Sequence, residues 1–148
     1  MVGFWIYAFF FAPKGSPDIL HDKSFAPPAE SRCARALTVI HELPNASTAK
    51  TAIERADTID RANQELRDML ATISQQPTGD AHDTNLINLW LTDWRQYVVD
   101  RSDFSTALRK NPGATFGVSA RNGQQITKAM DAFADRNKMP SCATPDDV

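Results

Sequence analysis

The chain has no excess of basic residues and little glycine, and both shortages restrict what it can bind. Sixteen Lys and Arg against 18 Asp and Glu give 148 residues a formal net charge of −2, whereas a nucleic-acid-binding domain needs a basic face. The six glycines are scattered, so no glycine-rich loop is available to cradle a phosphate. We therefore expect no nucleic-acid partner and no nucleotide site of that kind.

Motifs of catalytic and metal-binding proteins are also missing. The sequence has no Gly-x-Ser-x-Gly nucleophile elbow, and no histidine follows a glutamate by three residues as in di-iron bundles. The three histidines, His21, His41 and His82, do not share ligand spacing. His82 lies beside Asp80 and Asp83, and this group is interpreted as a polar helix start rather than a metal site. The sequence thus predicts no catalytic residue, no metal and no cofactor.

Cysteine is scarce, since Cys33 and Cys142 are the only two. Neither belongs to a CxxC motif or a Cys/His cluster, which argues against a structural zinc site. Two interpretations remain open: two buried free thiols, or a disulfide that ties the first helix to the C-terminal tail. Such a disulfide closes a loop of about 100 residues and contributes roughly 4 to 5 kcal/mol. It would also indicate an oxidising compartment.

No charge-free apolar run reaches the roughly 20 residues that cross a bilayer, but residues 1–12 contain the charge-free run VGFWIYAFFFA. The basic start of a signal peptide is missing. The run is interpreted as a truncated membrane anchor whose start lies upstream, as an atypical signal segment, or as an apolar segment packed on the domain. The first is favoured, because exposed aromatic clusters are rare in soluble tails. Residues 13–28 contain four prolines and are predicted to be an extended tether.

The remaining segment, residues 29–148, is predicted to be an all-α domain. Apolar residues recur at intervals of three or four, and prolines and glycines separate the repeats. The helices are expected from Pro28 or Ala29 to before Pro44, from a Ser47 or Thr48 cap to about Ser74, from about Asp83 to Lys110, and from about Gln124 to Asn137. Short connections between long helices favour a four-helix up-and-down bundle.

The densest stretch, WLTDWRQYVVDR, lies in the third helix. Trp90, Trp94 and Tyr97 share one helix face, which predicts a seam of the core. The alternative is an aromatic pocket that these three residues form with Arg101 for an apolar or cationic ligand. Arg101 falls on the same face, where an apolar residue is expected. Either it forms a buried ion pair with Asp60, or both side chains reach solvent.

Three segments give the chain a resemblance to small membrane-anchored extracytoplasmic proteins of high-GC actinobacteria. They are TAIERADTIDRANQELRDML, WLTDWRQYVVDR and the closing NKMPSCATPDDV with its cysteine. The resemblance covers residues 30 to 148 and carries no catalytic motif. It implies a location at the cell membrane, with the domain on the extracytoplasmic side, rather than an activity. The short N-terminal apolar run departs from the pattern.

Three functions are compatible with these features. The favoured one is a noncatalytic, membrane-tethered extracytoplasmic domain that binds a protein partner as an accessory or assembly factor of the cell envelope. The second is a small-ligand-binding or sensor domain that uses the aromatic pocket. The third is an enzyme with Asp60, Asp93 or Asp100 as acid or base, which a raised carboxylate pKa in a cleft would support. The anchor-like start and the cysteine pair favour the first.

Overall fold

The computed structural model describes residues 18–148, which fold into four α-helices and one short hairpin. The elements are α1 (Ala26–Glu42), α2 (Ala52–Ile73), α3 (Ala81–Lys110), β1 (Ala120–Arg121), β2 (Gln124–Gln125) and α4 (Ile126–Arg136). Single 3-10 turns lie at Ala46–Thr48 and Pro140–Cys142. The all-α prediction is confirmed. The predicted apolar segment, residues 1–12, lies outside the described residues, as do residues 13–17 of the predicted tether.

Residues 18–28 belong to the folded domain, so the predicted tether is wrong for this part of the chain. Leu20 and Phe25 are buried, with 1% and 3% of their surface exposed. The backbone N–H of Leu20 donates to Oδ1 of Asn137 at 2.8 Å. Prolines occupy the first turn of α1, where the missing N–H costs no hydrogen bond. They start a helix here and do not extend the chain.

The start of α2 is also later than predicted. Thr51 accepts a hydrogen bond from the backbone N–H of Glu54, and the Glu54 side chain accepts one from the backbone N–H of Thr51. This capping box fixes the first turn at Ala52. The predicted caps, Ser47 and Thr48, instead lie in the 3-10 turn, which Asn45 caps by accepting from the Ser47 N–H at 2.9 Å.

Helices α2 and α3 form the most extensive helix pair and run antiparallel. The antiparallel direction follows from three side-chain contacts, in which lower residue numbers on α2 pair with higher numbers on α3. The contacts join Asn63 to Ser102 (3.3 Å), Asp60 to Ser105 (2.6 Å) and Asp57 to Arg109 (2.5 Å). Helix α1 packs on α2, and α4 packs on α3. No helix within residues 18–148 combines the length and the hydropathy needed to span a bilayer.

The core has a larger and a smaller cluster, and the segment between α3 and α4 joins them. Phe116 packs against both clusters, with its ring 5.4 Å from Phe104 and 6.1 Å from Tyr97. A two-residue hairpin turn follows, in which Asn122 and Gly123 have φ of 53° and 76°. Asn-Gly is the preferred pair for such a turn. The all-α prediction did not include this pair of strands.

Candidate functional site

The aromatic face of α3 is a seam of the core. Trp90, Trp94 and Tyr97 are 3%, 1% and 3% exposed. The Trp94 ring meets Trp90 and Tyr97 edge to face, with centroids 6.4 and 5.8 Å away, which is a favourable geometry for aromatic pairs. Trp90 also packs on Phe133 of α4 at 5.3 Å. These contacts favour the core interpretation of the three residues over a shared ligand pocket.

Arg101 is fully buried, with 0% of its surface exposed, and is held by three side chains. Its Nε donates to Oδ1 of Asn63 at 2.6 Å, and Nη1 and Nη2 donate to the two carboxylate oxygens of Asp147 at 2.6 and 2.7 Å. The guanidinium lies over the Tyr97 ring, 5.6 Å from its centroid. The bidentate pair satisfies the buried charge. Little of Arg101 remains available to an external ligand.

Neither alternative for Arg101 is found, because its side chain is buried and pairs with Asp147, so it neither forms an ion pair with Asp60 nor reaches solvent. Asp60 lies three residues before Asn63 on α2, so it faces the next turn of α3. There it accepts from Oγ of Ser105 at 2.6 Å and pairs with Nη2 of Arg109 at 2.9 Å. Asp60 and Arg101 do lie on the faces that α2 and α3 turn toward each other, but Asp60 contacts α3 one helical turn beyond Arg101. The prediction also missed Asp147, because that residue lies beyond the last helix.

Burial and charge act in opposite directions on the Arg101 guanidinium. Burial alone lowers the pKa of Arg101, but the hydrogen bonds and the charge of Asp147 outweigh it, and the pKa is raised. Burial raises the pKa of the neighbouring Tyr97, whose hydroxyl donates to the carbonyl oxygen of Pro145 at 3.4 Å. The guanidinium therefore stays charged and the phenol stays neutral at physiological pH.

The C-terminal tail reaches Arg101 because it is fastened at several earlier points. A disulfide joins Cys33 of α1 to Cys142, with the Cα atoms 5.1 Å apart and a separation of 109 residues in sequence. The predicted disulfide is thus confirmed. Thr144 then donates its backbone N–H and its hydroxyl to Asp131 of α4, at 2.7 and 3.1 Å. These contacts direct the final residues along the α3 core face.

A cavity of about 200 Å³ opens beside Trp90, between α3 and α4. Two ion pairs flank it, Arg121 with Asp93 at 2.7 Å and Arg136 with Asp18. Within residues 18–148 the indole Nε1 of Trp90 has no hydrogen-bond partner. The cavity is smaller than the roughly 300 to 1,000 Å³ of typical ligand pockets. It has room for a fragment-sized molecule.

The three carboxylates considered for acid or base catalysis all have structural partners. Asp60 bonds Ser105 and Arg109, as described above. Asp93 is only 5% exposed and is paired with Arg121. Asp100 accepts the backbone N–H and the hydroxyl of Ser119, each at 2.7 Å. Each carboxylate thus holds a neighbouring segment against α3 or α2.

A shallow groove of about 290 Å³ runs along the exposed side of the α2–α3 pair. It is lined by Arg67, Leu70, Ala71, Arg95, Val98 and Val99, and is called the α2–α3 groove below. Val99 is 49% exposed, whereas the preceding Val98 is buried in the core. An apolar floor beside two arginines is suited to a segment that carries both apolar and acidic side chains.

Two histidines and two aspartates meet where the N-terminal segment crosses the start of α3. One ligand atom from each of His21, Asp80, His82 and Asp83 lies within 4.8 Å of the others. His21 Nδ1 is 2.8 Å from Asp80 Oδ2, and His82 Nδ1 is 2.9 Å from Asp83 Oδ1. The two imidazole rings stack at 4.1 Å, 8° from parallel. We call these four residues the His–Asp cluster.

Asp83 is the buried member of the His–Asp cluster, with 1% of its surface exposed. Burial alone would raise its pKa, but the backbone N–H groups of Asp22 and His21, and the His82 ring, donate to the carboxylate and hold its pKa at about 2. Gly79, at φ +76°, leaves room for the Asp22 and Asp83 side chains, because a Cβ atom on residue 79 would lie 3.2 Å from Asp22 Cβ and from Asp83 Oδ2. Asp83 is therefore ionised at neutral pH.

His21 is the cluster member that sequence spacing does not reveal. It lies about 60 residues from Asp80 and in a segment predicted to be a tether. The only signal in the sequence is the group Asp80, His82 and Asp83 at a helix start. No protein-family model matches the chain, and no curated protein and no solved structure is significantly similar to it.

Proposed function

We propose that this chain is a noncatalytic, exported domain that is held at the membrane by its N-terminal apolar segment and binds a protein of the cell envelope. The observation that carries the proposal is the disulfide between Cys33 and Cys142. Disulfides persist in oxidising compartments and are rare in the cytosol. The resemblance to membrane-anchored extracytoplasmic actinobacterial proteins supports the same location.

The four helices are proposed to alternate in direction as an up-and-down bundle. The antiparallel contacts between α2 and α3 support this arrangement. So do the short connections from α1 to α2 and from α2 to α3. In such a bundle each helix pair leaves one outer face for a partner, and the α2–α3 groove lies on such a face.

The partner is proposed to bind the α2–α3 groove through a segment with apolar and acidic side chains. Leu70, Val98 and Val99 supply apolar lining, and Arg67 and Arg95 supply positive charge to the same groove. Charge complementarity of this kind selects partners and increases association rates. The partly exposed Val99 supplies apolar surface that a partner would cover.

The location is tested in intact cells that naturally make the protein. A membrane-impermeant maleimide is added before and after reduction, and modification of Cys33 and Cys142 is read by mass spectrometry. We expect modification only after reduction, together with recovery of the full chain in the membrane fraction. A chain that lacks residues 1–12 should leave that fraction. Two free thiols in freshly trapped cells would contradict the exported location.

The interaction is tested by purifying the full chain from those cells in mild detergent. We expect one protein in stoichiometric amount, retained by Ile53→Glu and lost with Val99→Glu. Ile53 is the matched control, because it is 60% exposed on α2 and does not line the groove. Equal recovery with both variants would contradict binding in the groove.

A second candidate function, binding of a small ligand, is favoured by the Trp90 cavity. The Trp90 side chain lines space for a fragment-sized molecule, and its buried indole N–H has no acceptor within the described residues. The test uses benzamide and benzoate as neutral and anionic probes that offer an acceptor oxygen. We expect a shift of the Trp90 indole NMR signal that saturates, and weaker binding by Trp90→Phe. Equal binding by Trp90→Phe would exclude the indole as a donor.

A further inference from the structure

The four residues of the His–Asp cluster offer the ligand types that a first-row divalent metal ion uses. His21 and His82 supply imidazole nitrogens, and Asp80 and Asp83 supply carboxylate oxygens. With neutral imidazoles the set carries two negative charges, which a divalent cation neutralises. Calcium and magnesium prefer oxygen ligands alone, whereas mixed imidazole and carboxylate sets suit zinc and its neighbours.

The spacing of the four ligand atoms is close to that of a tetrahedral site. They lie within 4.8 Å of one another, and the ligands of tetrahedral zinc, at 2.0 to 2.2 Å from the ion, lie about 3.3 to 3.6 Å apart. Ion binding requires the atom pairs at 2.8 and 2.9 Å to separate and the more distant ligand atoms to approach. This adjustment falls mainly on exposed side chains, because 62% of the His21 side chain and 54% of the Asp80 side chain are exposed. Asp83, at 1% exposed, is the fixed member.

The hydrogen bonds of the cluster mark the atoms that would bind the metal ion. His21 is bonded through Nδ1 to Asp80, and His82 through Nδ1 to Asp83. In each pair an ion can take the place of the proton between the nitrogen and the carboxylate: a neutral imidazole shifts its proton from Nδ1 to Nε2, and an imidazolium releases its Nδ1 proton to solvent and keeps the one on Nε2. Asp83 keeps its bonds from the backbone N–H groups of His21 and Asp22. These outer bonds orient the ligand and raise metal affinity.

We propose that the His–Asp cluster is a zinc site that fastens the N-terminal segment, residues 18–25, to the start of α3. The segment and the helix start are about 60 residues apart in sequence. Because the unfolded chain does not hold these ligands together, zinc binds the folded state and stabilises it. The parallel rings belong to the metal-free arrangement, since a bound ion lies near the plane of each imidazole. Binding therefore tilts the exposed His21 ring out of the stack.

The test titrates the tag-free full chain, first stripped with a chelator, with zinc chloride by calorimetry. We expect one zinc ion per chain, and an affinity that falls at least tenfold in His21→Ala and in Asp80→Asn. The Asp80→Asn variant keeps a good helix N-cap, so its fold is preserved. His41→Ala is the matched control, because His41 is the third histidine of the chain, is exposed, and lies outside the cluster.

Two further measurements distinguish zinc binding at this site from nonspecific binding. Zinc should shift the ring NMR signals of His21 and His82 but not those of His41. It should raise the unfolding temperature of the wild type and of His41→Ala, and leave that of His21→Ala unchanged. Absence of binding by the wild type, equal binding by His21→Ala, loss of binding in His41→Ala, or displacement of zinc by an equal concentration of calcium would each overturn the proposal.

Discussion

The guanidinium of Arg101 and the carboxylate of Asp147, 46 residues apart in sequence, form two parallel hydrogen bonds of 2.6 and 2.7 Å. Arg101 is fully buried in the face that α3 turns to the core, and the Asp147 side chain is 19% exposed. The charge at the centre of the helical domain is therefore neutralised by a residue of the C-terminal tail. The stability of the core depends on how that tail is held.

Removal of Asp147 alone is expected to lower the unfolding free energy more than removal of both Asp147 and Arg101. Asp147→Ala leaves Arg101 as a buried charge without its counterion, which costs about 3 to 5 kcal/mol. The double variant Arg101→Met/Asp147→Ala removes both charges and should cost clearly less than the sum of the costs of Arg101→Met and Asp147→Ala, so the cycle consists of the wild type, these two single variants and the double variant. The measurement is urea unfolding of the four proteins. Asp146→Ala, at the exposed neighbouring position, should change the unfolding free energy by less than about 0.5 kcal/mol. Additive single costs would contradict the coupling.

The disulfide between Cys33 and Cys142 is expected to be the largest single contribution to stability. It closes a loop of 109 residues, for which the chain-entropy model gives about 4 to 5 kcal/mol. The Cys33→Ala/Cys142→Ala variant should lose about that much, as measured by guanidinium unfolding under non-oxidising conditions. Reduction of the wild type should give the same loss. If reduction left the unfolding free energy unchanged, the loop-closure argument would not apply.

The features that could be predicted from the sequence are those fixed by local pattern. Helical periodicity located all four helices, and Pro44 limited the first of them. The spacing of Trp90, Trp94 and Tyr97 identified the core face of α3, and all three are buried. The disulfide could be proposed because the chain has only two cysteines. Each of these inferences depends on neighbouring residues or on a choice with few alternatives.

The features that could not be predicted depend on contacts between distant segments. Asp147 meets Arg101, and His21 meets Asp80, only because the tail and the N-terminal segment fold back onto α3. A tail residue has no periodicity to place it. The prolines before α1 have two possible roles, extended chain or first helical turn, and burial of Phe25 decides between them.

Trp94 is expected to contribute more to stability than any exposed residue of the same helix. It is 1% exposed and makes edge-to-face contacts with two aromatic rings. Trp94→Ala should cost about 3 to 5 kcal/mol, the usual cost for a large aromatic residue in a core. Val99→Ala, on the same helix and 49% exposed, should change stability by about 0.5 kcal/mol or less. The comparison uses thermal and urea unfolding. Similar small costs for both would reopen the aromatic pocket around Trp94.

Acid is expected to weaken the link between the N-terminal segment and α3 through Asp83. The carboxylate has a pKa of about 2 in the folded chain against 3.8 for an ordinary aspartate. A depressed folded-state pKa contributes stability above the unfolded-state value, and the contribution is lost as the pH falls through the folded value. The difference in unfolding free energy between the wild type and Asp83→Asn should thus be largest above about pH 5 and decrease as the pH approaches 2.

The measurement is urea unfolding of the wild type and Asp83→Asn in a chelator, so that the carboxylate is tested without metal. The difference between the two proteins removes the effect of the other acidic residues, which titrate in both. Hydrogen exchange of the His21 and Asp22 backbone N–H groups gives a local reading, because both donate to Asp83. Their protection should fall over the same pH range. A difference in unfolding free energy that stays constant from pH 5 to pH 2 would show that Asp83 is not stabilised as an ionised acceptor.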